Sequence, residues 1–511
     1  MDLSVNYILG SSKLRVGLKA LLLLFVASML GCGLVLLLDQ YPLKWGAYTC
    51  VAGVLTALIL AFGSPKKALL FLLAVSIPLN LDFCVYSRDY LGGLNGVFLS
   101  LPDLCIGTLA LLLVADSLWN RSKTIALFPR TTLPFMALVL ASVLSTAVTV
   151  DKTHTLYGIV ALAKALMLYF VVANSINSER EARLVFNSLL IGLILAASLY
   201  LVQSVFHVSF LATGELRQLA GAEALGGNIR PAGTLGHPNA ASGYFAGMLM
   251  VALASLGVRQ SILQRVIVLC AIFLGSWALL MTFTRTGWIA FASGFLCLVA
   301  VGLKKRVFGG AFFAAVLCLA PIGVMLFGGL VKERMTTNLE SYDSRKPLIK
   351  QAFYIIGQHP VFGIGANAYG DVVYKYVPED MGAVWMYTVH NGFLYHWVEL
   401  GTLGFLAFLW LLFSLGREAW ALLGAEERAV RAMGLGAFAF LFTEAVFMNG
   451  VQWYVFESSG LSFCMLLALA AFLNTQESAY AVHTHENSRL LASAIKAERP
   501  VIAQTASWEN I

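Results

Sequence analysis

Three short segments hold the side chains best suited to chemistry. The first reads Arg230-Pro-Ala-Gly-Thr-Leu-Gly-His237-Pro238-Asn239-Ala-Ala-Ser. Pro suits the first turn of a helix, where its missing N–H costs nothing, so a helix is expected to start at Pro238. Free backbone N–H groups and the positive end of the dipole make such a start an anion site. His237 and Asn239 flank it, and Arg230 adds a forked grip on phosphate oxygens. The plainer reading is a Gly/Pro-rich loop that caps a helix. The second segment is Thr282-Phe-Thr284-Arg285-Thr286-Gly287, between two apolar runs. So short a turn keeps Arg285 at a membrane surface, where it wants an anion: lipid phosphate, substrate phosphate or a carboxylate. The third runs from His390-Asn391 through Glu399 to Gly401 and Gly404. His390 opens an apolar run, and a neutral imidazole there can act as general base near pH 7. In isolation a capping or interfacial histidine is the plainer reading. Glu399 falls about half a turn away on a helix, so the two do not form one dyad, and Glu399 is expected to pack against another helix.

These segments are positioned by a membrane domain. The chain has 511 residues, 59% hydrophobic and only 12% charged, against about 25% charged in soluble domains. Uncharged runs of about 20 residues recur from Leu18 almost to Asn474, which predicts an all-α polytopic membrane protein. The runs fall near 18–38, 43–63, 67–81, 98–117, 132–150, 154–173, 184–204, 239–257, 265–283, 286–302, 308–328, 392–414, 432–449 and 456–473, about fourteen spans. The composition excludes a cytosolic enzyme, a disulfide scaffold, a disordered chain and an outer-membrane barrel. The net charge of +7 reports topology rather than nucleic-acid binding. With the first segment cytoplasmic, Lys66/Lys67, Arg121/Lys123/Arg130, Arg180/Arg183, Arg259/Arg265, Lys304/Lys305/Arg306 and Arg417/Arg428/Arg431 all fall inside. The segments 205–238 and 329–391 then lie outside, and the polar tail 474–511 lies inside. The first span is expected to remain uncleaved. Within 329–391, Leu348, Ile349, Ala352, Phe353 and Ile356 recur at helical spacing beside Arg345, Lys346 and Lys350. That predicts an amphipathic helix on the outer membrane surface.

Charges inside spans are costly and mark pairing or function. Lys164 lies mid-span and is expected to pair with Asp103, Glu399 or Glu444. The eight cysteines form no CxxC pair, and most read as small buried apolar groups. There is no DxD pair in an outer segment, and no HExxH, GxSxG or Walker A sequence, so nothing points to metal, a serine nucleophile or a nucleotide cofactor.

Taken together, Arg230/Gly233/His237/Pro238/Asn239, Thr284/Arg285/Thr286/Gly287 and His390/Asn391/Leu394/Glu399/Gly401/Gly404 resemble the motifs of the bacterial O-antigen ligase and O-antigen polymerase superfamily. The stretch from Ser344-Arg345 to His359-Pro360, Gly363, Gly365 and Asn367 resembles that family's large periplasmic loop, and the similarity covers roughly 155–415. The resemblance implies a GT-C-like membrane glycosyltransferase of the inner membrane. Its donor would be a glycan on undecaprenyl diphosphate at the periplasmic face, and its acceptor a glycan or lipid A-core. Transfer would be metal-free and would invert the anomeric configuration. The implied catalytic residues are His390, Arg285 and Arg230. Arg230, His237, Asn239, Arg285 and Thr286 would bind the diphosphate, with Arg345 and Asn391 as weaker donor or acceptor contacts. Protein-glycosylating members usually show Gln-Pro-Asn where this chain has His237-Pro238-Asn239, and they carry an extra C-terminal periplasmic part, so both points argue against a protein acceptor. Ligase and polymerase share donor and motifs and stay unseparated here.

Two rivals come from other classes. A flippase or other secondary transporter for the same lipid is expected to show pseudo-symmetric halves, and the sequence shows no internal repeat. A structural scaffold would not need Arg285 and His390 on one face.

Overall fold

A computed structural model of the chain describes residues 43–80, 82–119 apart from 89, 91 and 92, 125–126, 131–206, 223–225, 228–310, 328–336, 345–376, 388–452 and 458–475, with isolated positions at 312, 318 and 325. The protein is an all-α polytopic membrane protein. Among the described residues eight helices are long and apolar enough to cross a membrane. The expected spans at 18–38 and 308–328, the tail and most of 205–227 lie wholly or mostly outside the described residues. The other twelve expected spans each coincide with a helix.

In chain order the helices are α1 (Leu43–Phe62), α2 (Pro65–Ser76), α3 (Leu101–Trp119), α4 (Thr132–Leu144), α5 (Lys152–Ser175), α6 (Glu179–Phe206), α7 (Pro238–Ser255), α8 (Ile262–Met281), α9 (Arg285–Lys304), α10 (Arg345–Gln358), α11 (Tyr369–Val372), α12 (Gly392–Leu422), α13 (Arg428–Phe447) and α14 (Ser458–Thr475). The run expected at 67–81 yields only the short α2 and a 3-10 turn, because Pro78 cannot continue the helix ladder. The run expected from 98 opens as a strand instead. β1 (Asp82–Ser87) and β2 (Gly96–Ser100) form an antiparallel hairpin before α3. β3 (Glu223–Leu225) and β4 (Asn228–Arg230) make a second small hairpin before α7.

Local chemistry sets the helix starts. The Asp151 carboxylate accepts from the N–H groups of Thr153 and His154 at the head of α5. Ser261 and Gln264 form a capping box on α8. His237 caps α7, with Pro238 at its first position, as the sequence predicts.

The core centres on α7, whose Tyr244, Phe245, Met248, Leu249 and Met250 are all buried. It lies against α13, where Gly243 and Gly247 let Phe447 and Phe440 approach the backbone. At one end of the bundle Lys66 pairs with Glu181 at 2.6 Å and Arg428 donates to the Val307 carbonyl. The other end carries the hairpins, α10, α11 and the starts of α5, α7, α9 and α12. There Lys164 pairs with Asp103 at 2.7 Å and also donates to the Phe98 carbonyl, tying α5 to α3 and β2.

Candidate active site

The Thr282–Gly287 turn joins α8 to α9 at that end. The buried Arg230 donates from Nε to the Thr282 carbonyl at 2.8 Å, and from Nη2 to Thr284 Oγ1 at 2.9 Å and Asn239 Oδ1 at 3.2 Å. Thr284 Oγ1 in turn lies 3.3 Å from Asn239 Oδ1. A second arginine, Arg334, donates from Nε to the Phe283 carbonyl at 3.0 Å. Phe283 has φ +49, the left-handed region a bulky side chain rarely adopts, so the turn is held in shape by these partners. Arg285 is then the first residue of α9, half-buried beside the free N–H groups of that helix.

Sequence reasoning aimed the forked face of Arg230 at a phosphate. In the structure Arg230 is 5% exposed, and its guanidinium spends these N–H groups on Thr282, Thr284 and Asn239, joining the head of α7 to the turn. Asn239 is drawn into the same network, while His237 stays exposed at the cap, accepting from Asn239 N at 3.0 Å.

Thr286 and Arg345 converge on the loop after α13. A β-carbon placed on Gly450 would lie 2.7 Å from Thr286 Oγ1 and 3.3 Å from Arg345 Nη1, so only glycine leaves both groups room there. Arg345 is the first residue of α10. His390 stands half-buried just before α12, next to the Gly392 N–H to Met448 carbonyl bond of 2.7 Å that joins α12 to the end of α13. Burial, with Arg345 and His237 close by, holds the His390 imidazole below its ordinary value, so it is neutral at pH 7. Asn391 caps α12 by accepting from Leu394 N at 3.0 Å. The structure thus gathers Arg285, Thr286, Arg345, His237 and His390 at one end of the bundle, with Arg230 and Asn239 beneath the turn. Among the described residues no three of His, Cys, Asp and Glu gather as a metal site.

The Glu399–Gly404 motif has a different task. α12 is broken at Gly401 (φ +62, ψ −170). Backbone N–H groups of Ile364 and Gly365 donate into the break at Val398 and Glu399, and those of Thr402 and Leu403 donate back to Pro360 and Val361. A β-carbon on Gly401 would lie 2.3 Å from the Val361 carbonyl oxygen, and one on Gly363 2.4 Å from that of Glu399. Glu399 was expected to pack on another helix. Its buried carboxylate instead accepts from the backbone of Asn367 at 2.9 Å and Tyr369 at 3.3 Å. α10 confirms the helical spacing but not the whole expected stripe. Leu348, Ala352, Ile355 and Ile356 are buried in one cluster with Tyr369, Tyr395 and Val398, and the buried Gln351 donates to the Val373 carbonyl at 3.0 Å, whereas Ile349 and Phe353 are exposed.

Sequence reasoning missed the joint that ties this loop to the first half of the chain. Asn367 (φ +54) donates from Nδ2 to the Leu94 and His154 carbonyls, each at 2.9 Å, and accepts from Leu94 N at 2.8 Å. His154 Nδ1 lies 2.9 Å from Asp371 Oδ2 and its ring stacks on Tyr90 at 4.2 Å. Burial raises the Asp371 carboxyl, and His154 works against that rise. In the sequence Asn367 stands in the stretch that resembles the family's periplasmic loop, while Tyr90, His154 and Asp371 carry no spacing signal.

One comparison with known families bears on this site. The sequence model of the family described as O-antigen ligase matches residues 270–409, from within α8 into α12. This match supports the O-antigen ligase and polymerase superfamily. No curated protein matches the chain. The matched part includes Arg285, Thr286, Arg345, His390, Asn391 and the Gly401 break, while Arg230, His237 and Asn239 lie before it.

Proposed function

We propose that the protein moves a glycan from undecaprenyl diphosphate to an acceptor sugar hydroxyl at the periplasmic face of the bacterial inner membrane. The family match supports a membrane glycosyltransferase-like function in polysaccharide ligation. The observation that carries the finer reading is a neutral, half-buried His390 beside Arg345 and within the same cluster as the Arg285–Thr286 turn. In this reading His390 accepts the proton of the acceptor hydroxyl. The hydroxyl oxygen attacks the anomeric carbon from the face opposite the diphosphate, the bond from that carbon to the phosphate oxygen breaks, and the configuration inverts. The electron pair leaves with the diphosphate, whose growing charge is met by Arg285, Arg345, Thr286 and the N–H groups at the head of α9. Fixed cations supply what a divalent metal supplies elsewhere, so transfer is expected to survive chelation. Arg230 acts here as a positioning residue, because its N–H groups hold the turn that presents Arg285. His237 and Asn239 remain diphosphate contacts from the head of α7, and Asn391 keeps His390 in place by capping α12.

The excess of Lys and Arg at the opposite end of the bundle supports placing this site outside and both termini inside. The test is transfer by the purified protein of a lipid-diphosphate-linked repeat unit, with and without lipid A-core. Product only with lipid A-core supports ligation, and a ladder without it supports polymerisation. Export of the intact lipid-linked glycan without transfer would support the flippase reading, and transfer to a polypeptide the protein-glycosylating one.

A further inference from the structure

A cavity of about 580 Å³ opens between the β1–β2 hairpin, the mid-part of α5, the head of α7 and the start of α14. Its volume lies within the roughly 300–1,000 Å³ usual for small-molecule sites. Its polar wall includes Asn95, Ser100, Asp103, Lys164 and Gln452, and the rings of Tyr90 and Tyr157 supply flat apolar faces. Lys164 and Asp103 compensate each other at 2.7 Å, and Asp82 adds a second carboxylate to the wall. A wall with one ammonium against two carboxylates does not concentrate a diphosphate. It suits an uncharged molecule dense in hydroxyls, to which carboxylate, carboxamide and hydroxyl groups can each offer a hydrogen bond. Two of the three Lys164 protons are committed, to Asp103 and the Phe98 carbonyl, and its side chain keeps a third of its surface open.

The cavity adjoins the proposed transfer centre at one end. His237 lines it and lies close enough to His390 to lower its basicity. Gln452 also lines it and donates to Thr388 Oγ1, two residues before His390. Arg285, Thr286 and Arg345 are not among its described lining residues. The cationic groups and the cavity therefore occupy different parts of the same end, with Gln452 leading from the cavity towards His390.

We infer that this cavity is the sugar subsite of the acceptor, holding the rings that carry the attacking hydroxyl towards His390. The assignment rests on the glycosyltransfer reading above. Ala161 of α5 lines the cavity and makes no polar contact of its own, so enlarging it fills the space while leaving the Lys164–Asp103 pair intact.

Ala161→Leu and Ala161→Trp are purified beside wild type, with thermal melting to confirm folding. Transfer rates are measured while lipid A-core and the lipid-diphosphate-linked repeat unit are varied in turn. Binding of lipid A-core oligosaccharide alone is followed by calorimetry. The subsite predicts an acceptor KM raised about tenfold in Ala161→Trp and less in Ala161→Leu, the loss of one or two hydrogen bonds. Donor KM stays unchanged, and oligosaccharide binding weakens in step. A raised donor KM with unchanged acceptor KM would assign the cavity to the donor's sugars and overturn the inference. Unchanged values for both would remove the subsite altogether. Wild type that binds the oligosaccharide, loses that binding in Ala161→Trp, and yet transfers nothing would keep the subsite and sink the glycosyltransfer reading.

Discussion

At the residue scale the proposed mechanism separates side chains that would meet the substrate from side chains that hold them. Arg285 stands at a helix start whose N–H groups add to its charge, so Arg285→Ala should lower transfer about 10²–10³-fold, the usual effect of removing one fixed donor to a developing anion. The melting temperature should barely move, which circular dichroism in detergent checks. Arg230→Ala should lower both, because its N–H groups brace the turn around Phe283. His390 must be neutral to accept a proton, and burial with Arg345 and His237 holds its pKa below the ordinary value of about 6.5. Activity should therefore persist as pH falls below about 6.5 and decline only as the lowered pKa is crossed. Arg345→Ala removes a positive neighbour and should move that acid limb to higher pH. A pH–rate profile that does not shift would remove Arg345 from the field acting on His390.

At the element scale the decisive feature is the break in α12. An Ala side chain at Gly401 would face both a φ of +62 and the Val361 carbonyl oxygen. Gly401→Ala is expected to destabilise by about 1–3 kcal/mol from the backbone alone. It should also release the 360–368 segment, read as faster limited proteolysis after His359. How far the elements were legible follows from their physics. Long uncharged runs announce spans, so α3, α5, α6, α8, α9, α12, α13 and α14 stand where the hydropathy put them. Hairpins β1–β2 and β3–β4 were not legible, because short strands in a helical chain leave too little alternation. The glycines of the third motif were visible, but their purpose was not. Gly401 and Gly363 allow two backbones to meet, and nothing in one strand of sequence names the partner.

At the scale of the whole molecule the loop between α9 and α12 joins the two halves of the chain. Asn367 reaches the hairpin through Leu94 and α5 through His154, while Glu399 grips the same loop from α12. Asn367→Ala removes three hydrogen bonds and should cost about 2–4 kcal/mol. It should depress transfer by loosening the end where His390 sits, and the fall in melting temperature is the check. This long-range joint was hidden in the sequence, since Leu94, His154 and Asn367 lie far apart along the chain. The grouping of Arg285, Arg345 and His390 at one end was foreseen, because span parity alone puts their segments on one side.

The central claim is glycan transfer by a histidine base facing fixed cations. Purified wild type, Arg285→Ala and His390→Ala are each given an undecaprenyl-diphosphate-linked repeat unit and lipid A-core in the presence of EDTA, and the glycan products are resolved on a gel. Wild type should form product at the same rate as without EDTA. Arg285→Ala should fall about 10²–10³-fold. His390→Ala should fall about 10²–10⁴-fold while still binding the donor. Full activity in either variant, or loss of wild-type product on chelation, would contradict the account.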